Sequence, residues 1–248
     1  MISLMYPGLY LLRRLFGRCS GREALQPPPC ELDADAASAM IENLLRSGRP
    51  AMVGRFGCTE MSCLHNYLEI KKPGRNPLHY VTGRRDQWWW NKNIMRQMRE
   101  WSGFFPAAPE YLARFCELML RDMEELDILG SWLPYEWEVM PMIHGVPRVR
   151  LLNLEPYWSS RPWSRALEGK KVLVVHPFAE SIMRQYERNR TRIFENPEVL
   201  PPFSLETLAA VQSMGTGTDR FSDWFEALAW MKDEIDPVSY THLTLPTI

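Results

Sequence analysis

Excess charge of either sign is missing: 29 Lys and Arg stand against 30 Asp and Glu in 248 residues, for a net charge of −1. A chain so balanced lacks the field that nucleic acid demands, so broad nucleic-acid binding is excluded. Cysteine is also sparse. Cys19, Cys30, Cys58, Cys63 and Cys116 form no C-x-x-C pair and have no histidines at metal-site spacing, which argues against structural zinc and for reduced thiols in a cytoplasmic protein. Long apolar runs are absent too. Residues 1–12 are apolar apart from Ser3, but Pro7-Gly8 interrupts them and they are too short to span a bilayer. Arg13, Arg14 and Arg18 follow that run instead of preceding it, the wrong order for an export signal. No internal repeat or low-complexity tract is present. What remains, 46% hydrophobic, describes one large soluble globular domain.

The two ends read differently from the middle. Residues 1–30 carry four arginines, at 13, 14, 18 and 22, against the single acid Glu23, and end in Pro27-Pro28-Pro29. This leader suits either a frayed terminus or peripheral contact of residues 1–22 with an anionic membrane surface. At the other end, V-S-Y-T-H-L-T-L-P-T over Val238–Thr247 matches the translated read-through of a transposase adapter used in sequencing libraries. The expectation is therefore a non-native tail at 238–248, loose or resting on a sheet edge, on a natural domain of residues 31–237 that lacks a C-terminal portion.

Between the ends, helices alternate with short apolar strands. Ala37, Met40, Ile41, Leu44 and Leu45 fall at helical spacing after Asp33, and Ser47-Gly48-Arg49-Pro50 stops that helix. Ala51-Met52-Val53 then leads into the turn Gly54-Arg55-Phe56-Gly57, with a second helix from about Thr59. Helices are expected over Trp88–Trp101 and Pro109–Leu126, the latter with a stripe of Leu112, Phe115, Met119 and Met123. The Trp88-Trp89-Trp90 run fits a stacking platform or a core filler. Arg148–Leu154 and Lys171–Val175 are the clearest strands, and K-V-L-V-V has no alternation, as in a strand buried on both faces. Helices follow from about Ala179 to Phe194 and from Phe221 to Ile235. Strands spaced by such helices predict an α/β fold with right-handed crossovers: a parallel or mixed sheet holding Ala51–Val53, Arg148–Leu154 and Lys171–Val175, with helices on both faces.

In such sheets ligands bind where strands end and helix N-termini point their free N–H groups outward. Two loops occupy that position. In Gly54-Arg55-Phe56-Gly57-Cys58-Thr59-Glu60 the glycines permit close backbone approach, Arg55 offers a fork for phosphate, and Glu60 places a carboxylate on the first helical turn. A purely structural turn reads the same way. In His176-Pro177-Phe178-Ala179-Glu180-Ser181, His176 is a candidate base or donor and Ser181 lies in the next helix. That helix carries Arg184, Arg188 and Arg192 at i, i+4, i+8, a solvated face of which Arg184 is nearest the strand end.

The segments M-V-G-R-F-G-C-T-E-M (52–61), L-E-P-Y-W (154–158), P-W-S-R-A-L-E-G-K-K-V-L-V-V-H-P-F-A-E-S-I (162–182), L-E-T-L-A-A-V-Q-S-M (205–214) and D-W-F-E-A-L-A-W-M-K-D-E-I-D (223–236) resemble bacterial GT-D-fold glycosyltransferases. The resemblance covers about Asp33 to Asp236. It implies a Rossmann-like domain that binds a nucleoside-diphosphate sugar and transfers the sugar to a cell-surface polysaccharide or glycoprotein glycan. The characterised branch carries Asp-Gly-Glu in the matching turn, its acids serving metal and nucleotide. Here the triplet is Cys58-Thr59-Glu60, and cysteine is a poor ligand for Mn²⁺ or Mg²⁺, so metal dependence stays open.

The expected site accordingly holds Glu60 and His176 as candidate catalytic groups, and Gly54, Arg55, Gly57, Thr59, Ser181 and Arg184 as nucleotide-sugar contacts, with Arg55, Glu60 and His176 brought together in one cleft. Two other classes are carried forward. One is a non-catalytic sugar-nucleotide or glycan-binding protein, and the other a cysteine hydrolase using Cys58 and His176.

Overall fold

A computed structural model describes residues 5–19, 25–213, 220–235 and 241–242. In chain order it contains α1 (Met5–Cys19), α2 (Ala34–Arg46), β1 (Val53–Arg55), α3 (Cys58–Lys71), α4 (Pro77–Val81), α5 (Lys92–Glu100), α6 (Pro109–Asp122) and β2 (Ile128–Ser131). There follow α7 (Glu136–Val139), β3 (Arg148–Arg150), β4 (Lys171–Val175), α8 (Ala179–Ile193), β5 (Ser204–Leu208), α9 (Trp224–Ile235) and β6 (Thr241–His242).

The strands are parallel throughout and divide into two small sheets, β1-β2-β3 and β5-β4-β6. The chain is thus an α/β protein, but the single sheet expected from the sequence is corrected to two. The cause lies at β3, whose outer edge is filled by Glu31: the Glu31 N–H donates to the Arg148 carbonyl at 2.9 Å and the Arg150 N–H donates to the Glu31 carbonyl at 2.9 Å. With that edge satisfied, β3 has no backbone groups to offer β4.

β2 is buried along its whole length, and its side chains alternate between two cores. Leu129 joins Met61, Leu64, Leu112 and Phe115 under α3 and α6, whereas Ile128 joins Ala37 and Ile41 of α2 with Val149 and Trp163. Helices therefore cover both faces of the first sheet. Val172 of β4 belongs to the second of these cores, which carries the packing from one sheet to the other. Gly130 makes this possible on the α2 side, because a Cβ there would meet Leu154 Cδ1 at 2.4 Å. The 3₁₀ turn Leu151–Leu154 replaces the second half of the expected strand Arg148–Leu154.

Local signals explain most boundaries. The Asp33 carboxylate accepts from the Ala36 N–H at 2.7 Å and caps α2. Arg85 donates to the carbonyls of Glu69, Lys72 and Pro73, closing the C-terminus of α3. Trp88 is buried with Tyr80 and Leu9, so the tryptophan run fills core and α5 begins only at Lys92. In place of a loose leader, α1 lies on α4: Leu9 enters that cluster and Arg13 stacks over Tyr80 at 4.6 Å. Arg22 lies outside the described residues, as do Val238, Leu243, Leu245 and Ile248 of the tail. The tail residues Thr241 and His242 pair with Val172 and Leu173 at the free edge of β4.

Candidate functional site

The turn after β1 is shaped by a carboxylate that folds back on it. Gly57 begins α3 in an extended conformation without a side-chain cap, and a Cβ on Gly57 would lie 1.9 Å from Glu60 Oε2. Glu60 therefore sits over the helix N-terminus, where its charge meets the positive end of the dipole, and only glycine fits beneath it. Across the turn, Trp132 Nε1 donates to the Phe56 carbonyl at 2.9 Å and ties β1's end to β2's. Glu136 fixes the chain after β2: fully buried, it accepts from Ser131 Oγ, from the Trp132 N–H at 2.9 Å and from the Leu133 N–H at 2.9 Å.

Gly54, Arg55, Gly57 and Glu60 line one cavity of about 280 Å³. The opposite wall is apolar, with Phe115, Met119 and Met123 from the α6 side and Trp224 and Leu228 from α9. Glu60 is only 5% exposed. Neither the Arg55 nor the Glu60 side chain has a hydrogen bond or ion pair among the described residues, so a cation and a buried carboxylate line the cavity without side-chain partners. Buried charges are ordinarily paired, which marks this pair as available to a ligand. Asp122, the other carboxylate of the wall, is half-exposed and bonded to Arg121 at 3.0 Å. Among the described residues Glu60 is then the sole unpaired carboxylate there, and such a donor set does not fit Mn²⁺ or Mg²⁺, which take several hard oxygen ligands. Among the described residues no three His, Cys, Asp or Glu side chains gather as a metal site.

The second loop is built differently. His176 Nδ1 accepts from the Phe178 N–H at 3.0 Å, and its backbone bonds Leu208 and Ala210 beside β5. Ser181 and Arg184 are exposed on α8. None of these three residues, nor Thr59, lines the Arg55–Glu60 cavity. Among the described residues no hydrogen bond or ion pair joins His176 to Arg55, Glu60 or Cys58. The first loop is brought together as one site, and the second is the start of α8.

A further charged cluster escapes sequence reasoning. His65, inside α3, is bonded through Nδ1 to Glu138 at 2.6 Å and through Nε2 to Asp86 at 2.9 Å, and its ring stacks on Tyr135 at 4.6 Å. Burial opposes charge on this imidazole, but the two carboxylates prevail and its pKa is pushed up to about 9. Asp86 also receives Arg13, linking α1 to α3. Burial pushes the Tyr135 phenol up, with the charges of Asp86, Glu138 and Cys58 adding to it. The partners of His65 lie 21 and 73 residues away, so no local pattern announces it. Cys63 and Cys116 meet at 3.8 Å in the core as buried thiols, and their mutual hydrogen bond, together with burial, raises Cys116. Cys58 is exposed.

No protein-family model, curated protein or solved structure matches the chain.

Proposed function

We propose that the chain is a glycosyltransferase with a Rossmann-like domain of the GT-D type, taking a nucleoside-diphosphate sugar as donor and a cell-surface glycan or glycoprotein as acceptor. The observation that carries this reading is the pairing of the Arg55 and Glu60 side chains, both unpartnered among the described residues, in one cavity at the N-terminus of α3. The motif resemblance over residues 52–61 and 162–182 supports it independently.

In the proposed reaction the donor's C1–O bond breaks and its electron pair leaves with the diphosphate. Arg55 and the free N–H groups of the first turn of α3 take up that charge. The acceptor oxygen forms the new bond to C1, and its proton passes to the Glu60 carboxylate, which lines the same cavity. The apolar wall around Phe115 and Trp224 offers the flat contact that a nucleobase takes. His176, held in its own turn, shapes the start of α8 in this scheme and takes no proton.

The test is release of nucleoside diphosphate from a panel of uridine, guanosine and thymidine diphosphate sugars, with and without glycan acceptors. Release from at least one donor is expected. Tight donor binding with no release under any acceptor would instead identify a sugar-nucleotide-binding protein, the reading that the lone acid of Cys58-Thr59-Glu60 favours.

A further inference from the structure

α1 is fastened to the body by one side and bare on the other. Leu9 and Arg13, one turn apart, face inward: Leu9 enters the Tyr80–Trp88 cluster, and Arg13 binds Asp86 and the Arg85 carbonyl, the latter at 2.9 Å. Leu11, with Leu12 on its flank, and Leu15 one turn on fall on the opposite side, and Phe16 lies at the border of the packed side. Their exposures are 57, 52, 50 and 43%, and Tyr10 is 55% exposed. Leu78 on the adjoining α4 is 67% exposed. Large apolar side chains clustered this densely on a surface mark a contact.

The acids beside this face, Asp86 and Glu69, are paired with Arg13 and with Lys72 and Arg85, and the charge left over is positive. α1 contains Arg13, Arg14 and Arg18 and no acid, and the 71–85 segment bearing α4 contains Lys71, Lys72, Arg75, Arg84 and Arg85 and no acid. In a chain of net charge −1 these two stretches pack against each other. Arg14, Arg75 and Arg84 are exposed and have no ion pair among the described residues.

We propose that α1 and α4 together form a docking surface for a lipid bilayer with anionic headgroups. Leu11, Leu12 and Leu15 enter the headgroup–acyl boundary, and Arg14, Arg75 and Arg84 meet the lipid phosphates. Nucleic acid and acidic proteins would satisfy the arginines but leave these large apolar side chains in water. No helix among the described residues is long and apolar enough to cross a membrane, so the contact is peripheral. It is independent of the Arg55–Glu60 cavity.

The full chain is sedimented with vesicles of pure phosphatidylcholine and with vesicles of equal parts phosphatidylcholine and phosphatidylglycerol. It should pellet with the anionic vesicles, at least several-fold less with the neutral ones, and less at high salt. Arg14→Gln and Arg84→Gln should each lower the partition coefficient roughly fivefold, and Leu11→Ser with Leu15→Ser should abolish pelleting. Both arginines are exposed, so they keep the test decisive where the double serine variant fails to fold. Equal binding to both vesicle types, no pelleting with anionic vesicles, or self-association removed by the double serine change, which would place a second copy on this face, would each overturn the proposal.

Discussion

The Glu60 carboxylate lies over Gly57 so closely that Oε2 stands 1.9 Å from where a Cβ would be. One consequence is an ordered pair of substitutions. Gly57→Ala should destabilise the fold by about 1–3 kcal/mol through overpacking and displace Glu60 from the cavity. Adding Glu60→Ala removes the obstruction, so the double variant should recover most of that stability without recovering activity. Thermal melts of the three variants measure the coupling, and additive losses would show that the two side chains do not compete for the same space.

The Arg55 side chain has no protein partner among the described residues, so its removal should be silent in stability and loud in binding. Arg55→Ala should leave the melting temperature nearly unchanged and weaken nucleoside diphosphate binding by roughly 1.5–3 kcal/mol, the worth of a charge-assisted contact. Calorimetric titration with uridine and guanosine diphosphates checks it. Unchanged affinity would remove Arg55 from the site.

Glu136 is the opposite case, a buried carboxylate whose three donors, Ser131 Oγ and the Trp132 and Leu133 N–H groups, are all inside the protein. Glu136→Leu keeps much of the volume but leaves the Trp132 and Leu133 N–H groups and the Ser131 hydroxyl without their acceptor. It should cost about 2–4 kcal/mol in denaturant unfolding, given the penalty for an unsatisfied buried group plus the lost charge-assisted bonds.

His65 makes stability depend on pH. Its pKa is 6.5 ordinarily and about 9 in the fold. A group raised on folding contributes fully below its unfolded pKa and loses that contribution as pH rises through the folded one. Stability should therefore fall between about pH 6.5 and 9, by up to about 3 kcal/mol for the imidazolium between Asp86 and Glu138. His65→Gln should flatten that slope. An identical slope in the variant would show that another group titrates.

What the sequence discloses follows the range of the interactions. Gly54, Arg55, Gly57 and Glu60 are contiguous, and Asp33, Pro50 and the unalternating K-V-L-V-V run act locally, so these were legible. The four-residue β2 was not, because Ile128-Leu129-Gly130-Ser131 follows the 3₁₀ turn ending α6 directly and includes a glycine that makes sense only against Leu154. The division into two sheets depends on Glu31 reaching β3 from far upstream in the chain. The cavity's apolar wall comes from α6 and α9, distant segments whose stripes read as ordinary core faces. The role of α1 likewise rests on Leu9 and Arg13 finding Tyr80 and Asp86.

The most direct measurement of the central claim is the rate of nucleoside diphosphate release by the protein and by Glu60→Gln, on whichever donor the panel identifies. The account predicts that the variant binds donor as tightly as the parent and releases the diphosphate about 10²–10⁴-fold more slowly, the range for loss of a general base. Equal rates in the two proteins, or no release from any nucleotide sugar by the unaltered chain, would contradict it.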